Sequence, residues 1–101
     1  MKERIVILGG GESGTGAAIL AKAKGFDVFV SDMGPLKDNY RDDLTSLSIP
    51  FEEGGHTDEK VLSATLIIKS PGIGKKADVV RKARTKKIPI IDEVEFAFLA
   101  S

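Results

Sequence analysis

The chain contains no cysteine. A disulfide framework, a thiolate metal site and a thiol nucleophile are excluded with it. His56 is the sole histidine, so a histidine cluster is also out of reach, and no metal is expected to act within these residues. Charge of one sign is lacking as well: 15 basic and 15 acidic side chains cancel. No global field therefore draws the chain to nucleic acid or to an anionic membrane surface. No apolar run approaches the length that spans a bilayer, and Met1-Lys2-Glu3-Arg4 leads straight into a short strand with no secretory h-region. These absences predict a cytoplasmic location with neither nucleic acid nor membrane as partner. No internal repeat or low-complexity tract is present. At 101 residues the chain reads as one domain, with room for a core and one site but not for a Rossmann domain plus a separate catalytic domain.

What is present is organised around Ile5-Val6-Ile7-Leu8 and the glycines that follow, Gly9, Gly11 and Gly14. A strand-like run breaks into a G-x-G-x-x-G turn and then into an alanine-rich helical pattern, which is the context that a phosphate-binding turn requires. Gly9 permits the tight turn, Gly11 leaves backbone bare for a ligand, and Gly14 lets the helix close on the sheet. The free N–H groups of that first helical turn form an anion site.

Further along, hydrophobic segments alternate with polar helical ones. The pattern predicts helices over 14–24, 39–47, 76–86 and in the tail from Asp92, with a brief one capped by Asp58 and ending near Ser63. Gly25 is placed as a left-handed stop. Strands are expected at 5–8, 27–31, 49–53, 65–69 and 88–91. This alternation implies a Rossmann-like α/β fold, a three-layer αβα arrangement around a five-stranded parallel sheet. With strand order 3-2-1-4-5, the Gly9–Gly14 turn and the Ser70–Gly74 loop face each other across one crevice at the switch point. The apolar last helix, with Val94, Phe96, Ala97, Phe98 and Leu99, is expected to pack on a later part of a longer chain or on a second copy.

Several side chains bear on that crevice. Asp32, at the end of the second strand, matches the acid that holds ribose hydroxyls in NAD-binding folds, and it also suits a loop-capping role. Glu12 would repel a pyrophosphate unless turned to solvent, so the turn is expected to work through backbone amides. Ser13 can donate to a ligand or cap the helix. Ser70-Pro71-Gly72 reads either as a strand-ending turn or as a ligand-lining loop. His56 reads as a structural loop histidine, not a catalytic base. Lys75, Lys76, Arg81, Lys82, Arg84, Lys86 and Lys87 read as a solvated helix face. Asp92, Glu93 and Glu95 are explained by helix capping.

Taken together, the Gly9–Gly14 turn, Asp32, Gly54-Gly55-His56, Ser70-Pro71-Gly72-Ile73 and the acidic-aromatic stretch from Asp92 to Phe98 resemble, in order and spacing, the first domain of the Mur ligases, in particular the branch that adds D-glutamate. The resemblance covers essentially the whole chain. It implies that residues 1–101 form a single N-terminal domain that holds the uridine diphosphate end of UDP-N-acetylmuramoyl-L-alanine. It further implies that central and C-terminal domains of the same enzyme lie outside this chain. Gly11, Glu12 and Ser13 would meet the diphosphate and ribose, Asp32 would accept from the uracil ring with Met33 and Gly34 beside it, and Ser70, Pro71 and Gly72 would line the opposite wall. The reaction implied is ATP-dependent amide formation through an acyl phosphate in peptidoglycan precursor synthesis. No G-x-x-x-x-G-K-[ST] sequence occurs here, so this domain is expected to carry no catalytic residue and no cofactor, ATP and Mg belonging to the full-length ligase. The residues alone leave an NAD-binding regulatory or dehydrogenase domain as the alternative.

Overall fold

A computed structural model describes residues 3–74 and 77–100. The elements run β1 (Arg4–Leu8), α1 (Glu12–Ala23), β2 (Asp27–Ser31), α2 (Asp38–Ser46), β3 (Phe51–Glu52), α3 (Asp58–Val61), β4 (Leu66–Lys69), α4 (Asp78–Thr85), β5 (Ile90–Asp92) and α5 (Glu93–Ala100). The strands form one sheet in the order β3-β2-β1-β4-β5, and every neighbouring pair is parallel. The expected fold class and strand order are both observed.

Alternation along the strands divides the core into two layers. Ile5, Ile7, Val28, Val30 and Ile68 face one side, where Ala17, Ala18, Ala21, Leu44 and Phe96 from α1, α2 and α5 cover them. Val6, Leu8, Phe29 and Ile67 face the other, beneath Val61 of α3 and Val79, Val80 and Ala83 of α4. The central strand β1 is buried on both faces, which accounts for its unbroken apolar run.

Several boundaries differ from expectation. Helix α1 starts at Glu12 and not at Gly14, with Gly11 as its N-cap. Ser13 therefore lies inside the first turn and is not the cap. Glu12 occupies the position where a carboxylate favours the positive end of the helix. Asp58 is likewise the first residue of α3 and not its cap, which is Thr57, and α3 ends at Val61. Leu47 falls just beyond α2 and is exposed, so that helix buries Leu44 alone. Strand β5 begins two residues later than expected because the register pairs Ile67 with Ile90, while Pro89, which has no N–H, contributes only its carbonyl to Ile67. The start expected for α4, at position 76, lies outside the described residues. Arg81, Lys82, Arg84, Lys86 and Lys87 form the exposed face expected of them. Asp92 Oδ1 accepts from the Glu95 amide at 2.7 Å, as an N-terminal cap of α5 should.

Candidate functional site

The loops after β1, β2, β3 and β4 all emerge at the carboxyl edge of the sheet, where a parallel α/β fold places its ligand crevice. Gly9 has φ +104°, which turns the chain back over the strand end. The close approach expected at this turn is present: a β-carbon built on Gly9 would stand 2.8 Å from Cβ of Ser70. Ser70 also donates its amide to the Leu8 carbonyl at 2.9 Å. The glycine turn and the Ser70 loop are thus adjacent walls. At Gly11, by contrast, a β-carbon would meet nothing within 4 Å. Gly11, Glu12 and Ser13 are exposed at the opening of α1, so the first amides of that helix face an open approach.

Asp32 ties the turn to the end of β2. Its Oδ2 accepts from the Gly10 amide at 2.7 Å and its Oδ1 from the Gly34 amide at 2.9 Å. The second bond is the local capping contact anticipated for this residue. The first spans from β2 to the glycine turn and fixes one relative to the other. Each oxygen keeps a further lone pair for a ligand donor. Met33 is 68% exposed next to this clasp, and Pro71 and Gly72 are exposed on the facing loop.

Ser13 also lines a hollow beside α1 together with Glu93, Val94 and Phe96. There, burial above all, helped by neighbouring Asp92, pushes the Glu93 carboxyl above the usual carboxylate range, against a hydrogen bond from Ser13. Glu93 Oε1 is buried with no partner.

A second cluster was not anticipated. Ser31, fully buried at the end of β2, places its hydroxyl 2.8 Å from Glu52 Oε2 and 2.6 Å from His56 Nδ1. Glu52 also accepts from the Thr57 amide at 2.9 Å and from the Thr57 hydroxyl. Burial works against the Glu52 charge, yet the bonds from Thr57 and Ser31 hold its carboxyl below the usual range. Burial lowers the His56 pKa in spite of the nearby carboxylates of Glu52 and Asp32. His56 opens onto a cavity of about 450 Å³ shared with Met33, Asp58, Ile73, Gly74 and Lys82. The only hint in the sequence was the Gly54-Gly55 pair before His56. Nothing in its spacing pointed to Ser31.

A sequence model of the MurD N-terminal domain family matches residues 4–79. The chain belongs to that family. It is 56% identical over 95 residues to a UDP-N-acetylmuramoylalanine--D-glutamate ligase of Bacteroides thetaiotaomicron, covering 94% of this chain and 21% of that protein. It is 52% identical over 98 residues to the enzyme of the same name from Cytophaga hutchinsonii, covering 97% and 22%. The chain thus spans about a fifth of the length of these curated relatives. Among solved structures, a murein peptide ligase from Psychrobacter arcticus superposes with a TM-score of 0.84 at 22% identity over 93% of this chain and 20% of its own, a likeness of fold. A pseudomurein peptide ligase type C from Methanothermus fervidus gives 0.79 at 28% identity, over 95% and 20%.

Proposed function

We propose that this MurD N-terminal domain anchors the uridine diphosphate end of UDP-N-acetylmuramoyl-L-alanine for a ligase that joins D-glutamate to it. The observation that carries this reading is the convergence, at one sheet edge, of the open Gly11 turn, the Asp32 clasp and the Ser70-Pro71-Gly72 wall. Backbone amides at Gly11, Glu12 and Ser13 would receive the diphosphate, helped by the positive end of α1. Glu12, exposed, can turn its carboxylate to water. Asp32 would accept from the uracil ring, with Met33 and Gly34 along its edge.

The chemistry belongs to the remainder of the ligase. Amide formation through an acyl phosphate needs ATP and Mg, and no P-loop sequence occurs in this chain. Among the described residues no group of three or more His, Asp or Glu could hold a metal ion. The central and C-terminal domains would supply those sites and pack against this one. Cytoplasmic cell-wall precursor synthesis, and through it cell division and cell shape, is the process such an enzyme serves. No described helix is long and apolar enough to cross a membrane. The family to which the chain belongs favours this reading over an NAD-binding role.

Titration of the chain with UDP-N-acetylmuramoyl-L-alanine, followed by amide chemical shifts up to millimolar ligand, tests the reading. Saturable shifts clustered at Gly11–Ser13, Asp32–Gly34 and Ser70–Gly72 are expected, weakened in Asp32→Ala. Absence of saturable shifts at those positions would overturn it.

A further inference from the structure

We infer that His56 is an additional ligand-binding residue of this crevice, its neutral Nε2 accepting a hydrogen bond from an N–H or O–H donor on the nucleoside half of the ligand. The inference rests on the uridine diphosphate reading above and extends it to His56, to which the resemblance assigns no role in the site.

Proton bookkeeping fixes the state of the ring. Ser31 Oγ has one proton and two neighbours, Glu52 Oε2 at 2.8 Å and His56 Nδ1 at 2.6 Å. An ionised carboxylate can only accept, so the Ser31 proton goes to Glu52. Ser31 can then only accept from His56, which places the ring proton on Nδ1 and leaves the lone pair on Nε2. Glu52 is itself held ionised by the Thr57 amide and hydroxyl. A buried hydroxyl thus sets the tautomer of a ring that lines a cavity.

The cavity suits a nucleoside better than a phosphate. Met33 and Ile73, from the loops after β2 and β4, give apolar surface for the faces of a planar base. Its charged lining is already paired, Asp58 with Lys82 and Asp78 with Arg81. Asp32 and Glu52 act on His56 from the ends of β2 and β3. A diphosphate would find no free cation among these described lining residues and is better placed over Gly11, whereas an uncharged base or ribose needs none. His56 Nε2 then offers an acceptor beside the acceptor already provided by Asp32, so a ring N–H and a ribose hydroxyl can both be satisfied.

The test compares UDP-N-acetylmuramoyl-L-alanine binding to the wild-type chain and to His56→Asn and His56→Gln by calorimetry from about pH 8 to about pH 5.5. That ligand's diphosphate is esterified at both ends, so it does not titrate in this range. Wild-type affinity should fall roughly three- to tenfold as His56 gains its second proton, the worth of one neutral hydrogen bond. His56→Asn keeps an N–H toward Ser31 but lacks the far nitrogen, so it should bind that much more weakly at the upper pH and show no pH dependence. His56→Gln, whose amide reaches the Nε2 position, should recover part of the loss. UDP and 2′-deoxy-UDP, each measured on the wild type and on His56→Asn at about pH 7.5, show whether the 2′-hydroxyl is the donor that His56 receives, since the variant should then no longer distinguish the two. Equal affinity of wild type and His56→Asn with the same pH profile would overturn the role of His56 while leaving the nucleotide site intact. No binding by the wild type would overturn both. Should His56→Asn fail to fold, His56→Ala takes its place, and an affinity equal to that of the wild type would overturn the inference.

Discussion

Gly14 packs directly on the carbonyl oxygen of Gly9, so closely that a β-carbon at Gly14 would stand 1.8 Å from that oxygen. The contact is backbone against backbone, and neither partner can rotate away. Gly14→Ala should therefore force α1 off the sheet and cost about 3 kcal/mol, lowering the Tm by roughly 12–24 °C. Gly16, two residues on in the same helix, has nothing within 4 Å of its would-be β-carbon. Gly16→Ala should instead stabilise by about 0.5–1 kcal/mol through helix propensity. Thermal unfolding followed by circular dichroism separates the two, and a similar Tm for both variants would contradict the close packing at Gly14.

Helices α2 and α4 end on left-handed residues that are not glycine, Ser48 at φ 57° and Lys87 at φ 60°. The conformation is strained for a side chain with a β-carbon, by about 1 kcal/mol. Lys87→Gly should raise stability by roughly 0.5–1 kcal/mol, since Lys87 is exposed and its backbone amide already closes the helix onto Arg84. A chemical denaturation midpoint at or below that of the wild type would show that the strain is relieved elsewhere.

The Ser31 cluster predicts how stability depends on pH. His56 has a lowered pKa, so the unfolded chain binds its proton more readily than the folded one. Its contribution is present above the unfolded value of about 6.5 and is lost as pH falls toward the lower folded value. Glu52, also lowered, contributes above its unfolded value of about 4.3 and loses that contribution in a second, more acidic stage. The urea midpoint should thus decline in two stages on acidification. His56→Gln should abolish the upper stage and leave the lower one in place.

Glu93 has the opposite sign. Its pKa is raised, chiefly by burial, so the folded state favours the protonated form and stability from this group is lost as pH rises through the raised value. Glu93→Gln removes the charge that burial penalises and retains a polar group beside the unpartnered Oε1 position. The variant should be more stable than the wild type at about pH 7 and converge with it at about pH 3, below the ordinary carboxylate range. A variant less stable at neutral pH would mean that the hydrogen bond from Ser13 outweighs the cost of burying the charge.

Much of the architecture was legible because it depends on short-range chemistry. The apolar run of β1, the glycines that must turn or admit a helix, Gly25 at φ +92° and the inward Val79, Val80 and Ala83 each follow from local pattern. Right-handed crossovers then limit the strand order. Boundaries were less legible where tertiary pairing overrode pattern, as at β5, where the register with β4 moved the strand past Pro89, and at α1, where Gly11 took the cap that Ser13 could have held.

The parallel α/β sheet, its order and the meeting of the Gly9 turn with the Ser70 loop can be read from the residues alone, because strand periodicity, turn residues and crossover handedness act over neighbouring residues. That Asp32 clasps Gly10, 22 positions away, and that Ser31, Glu52 and His56 form one hydrogen-bonded group come from long-range packing. Those partners lie 21 and 25 residues apart. What joins them is parallel pairing, which aligns Ser31 with Glu52 at the same sheet edge, and the burial of Ser31, whose hydroxyl finds its partners in Glu52 and His56.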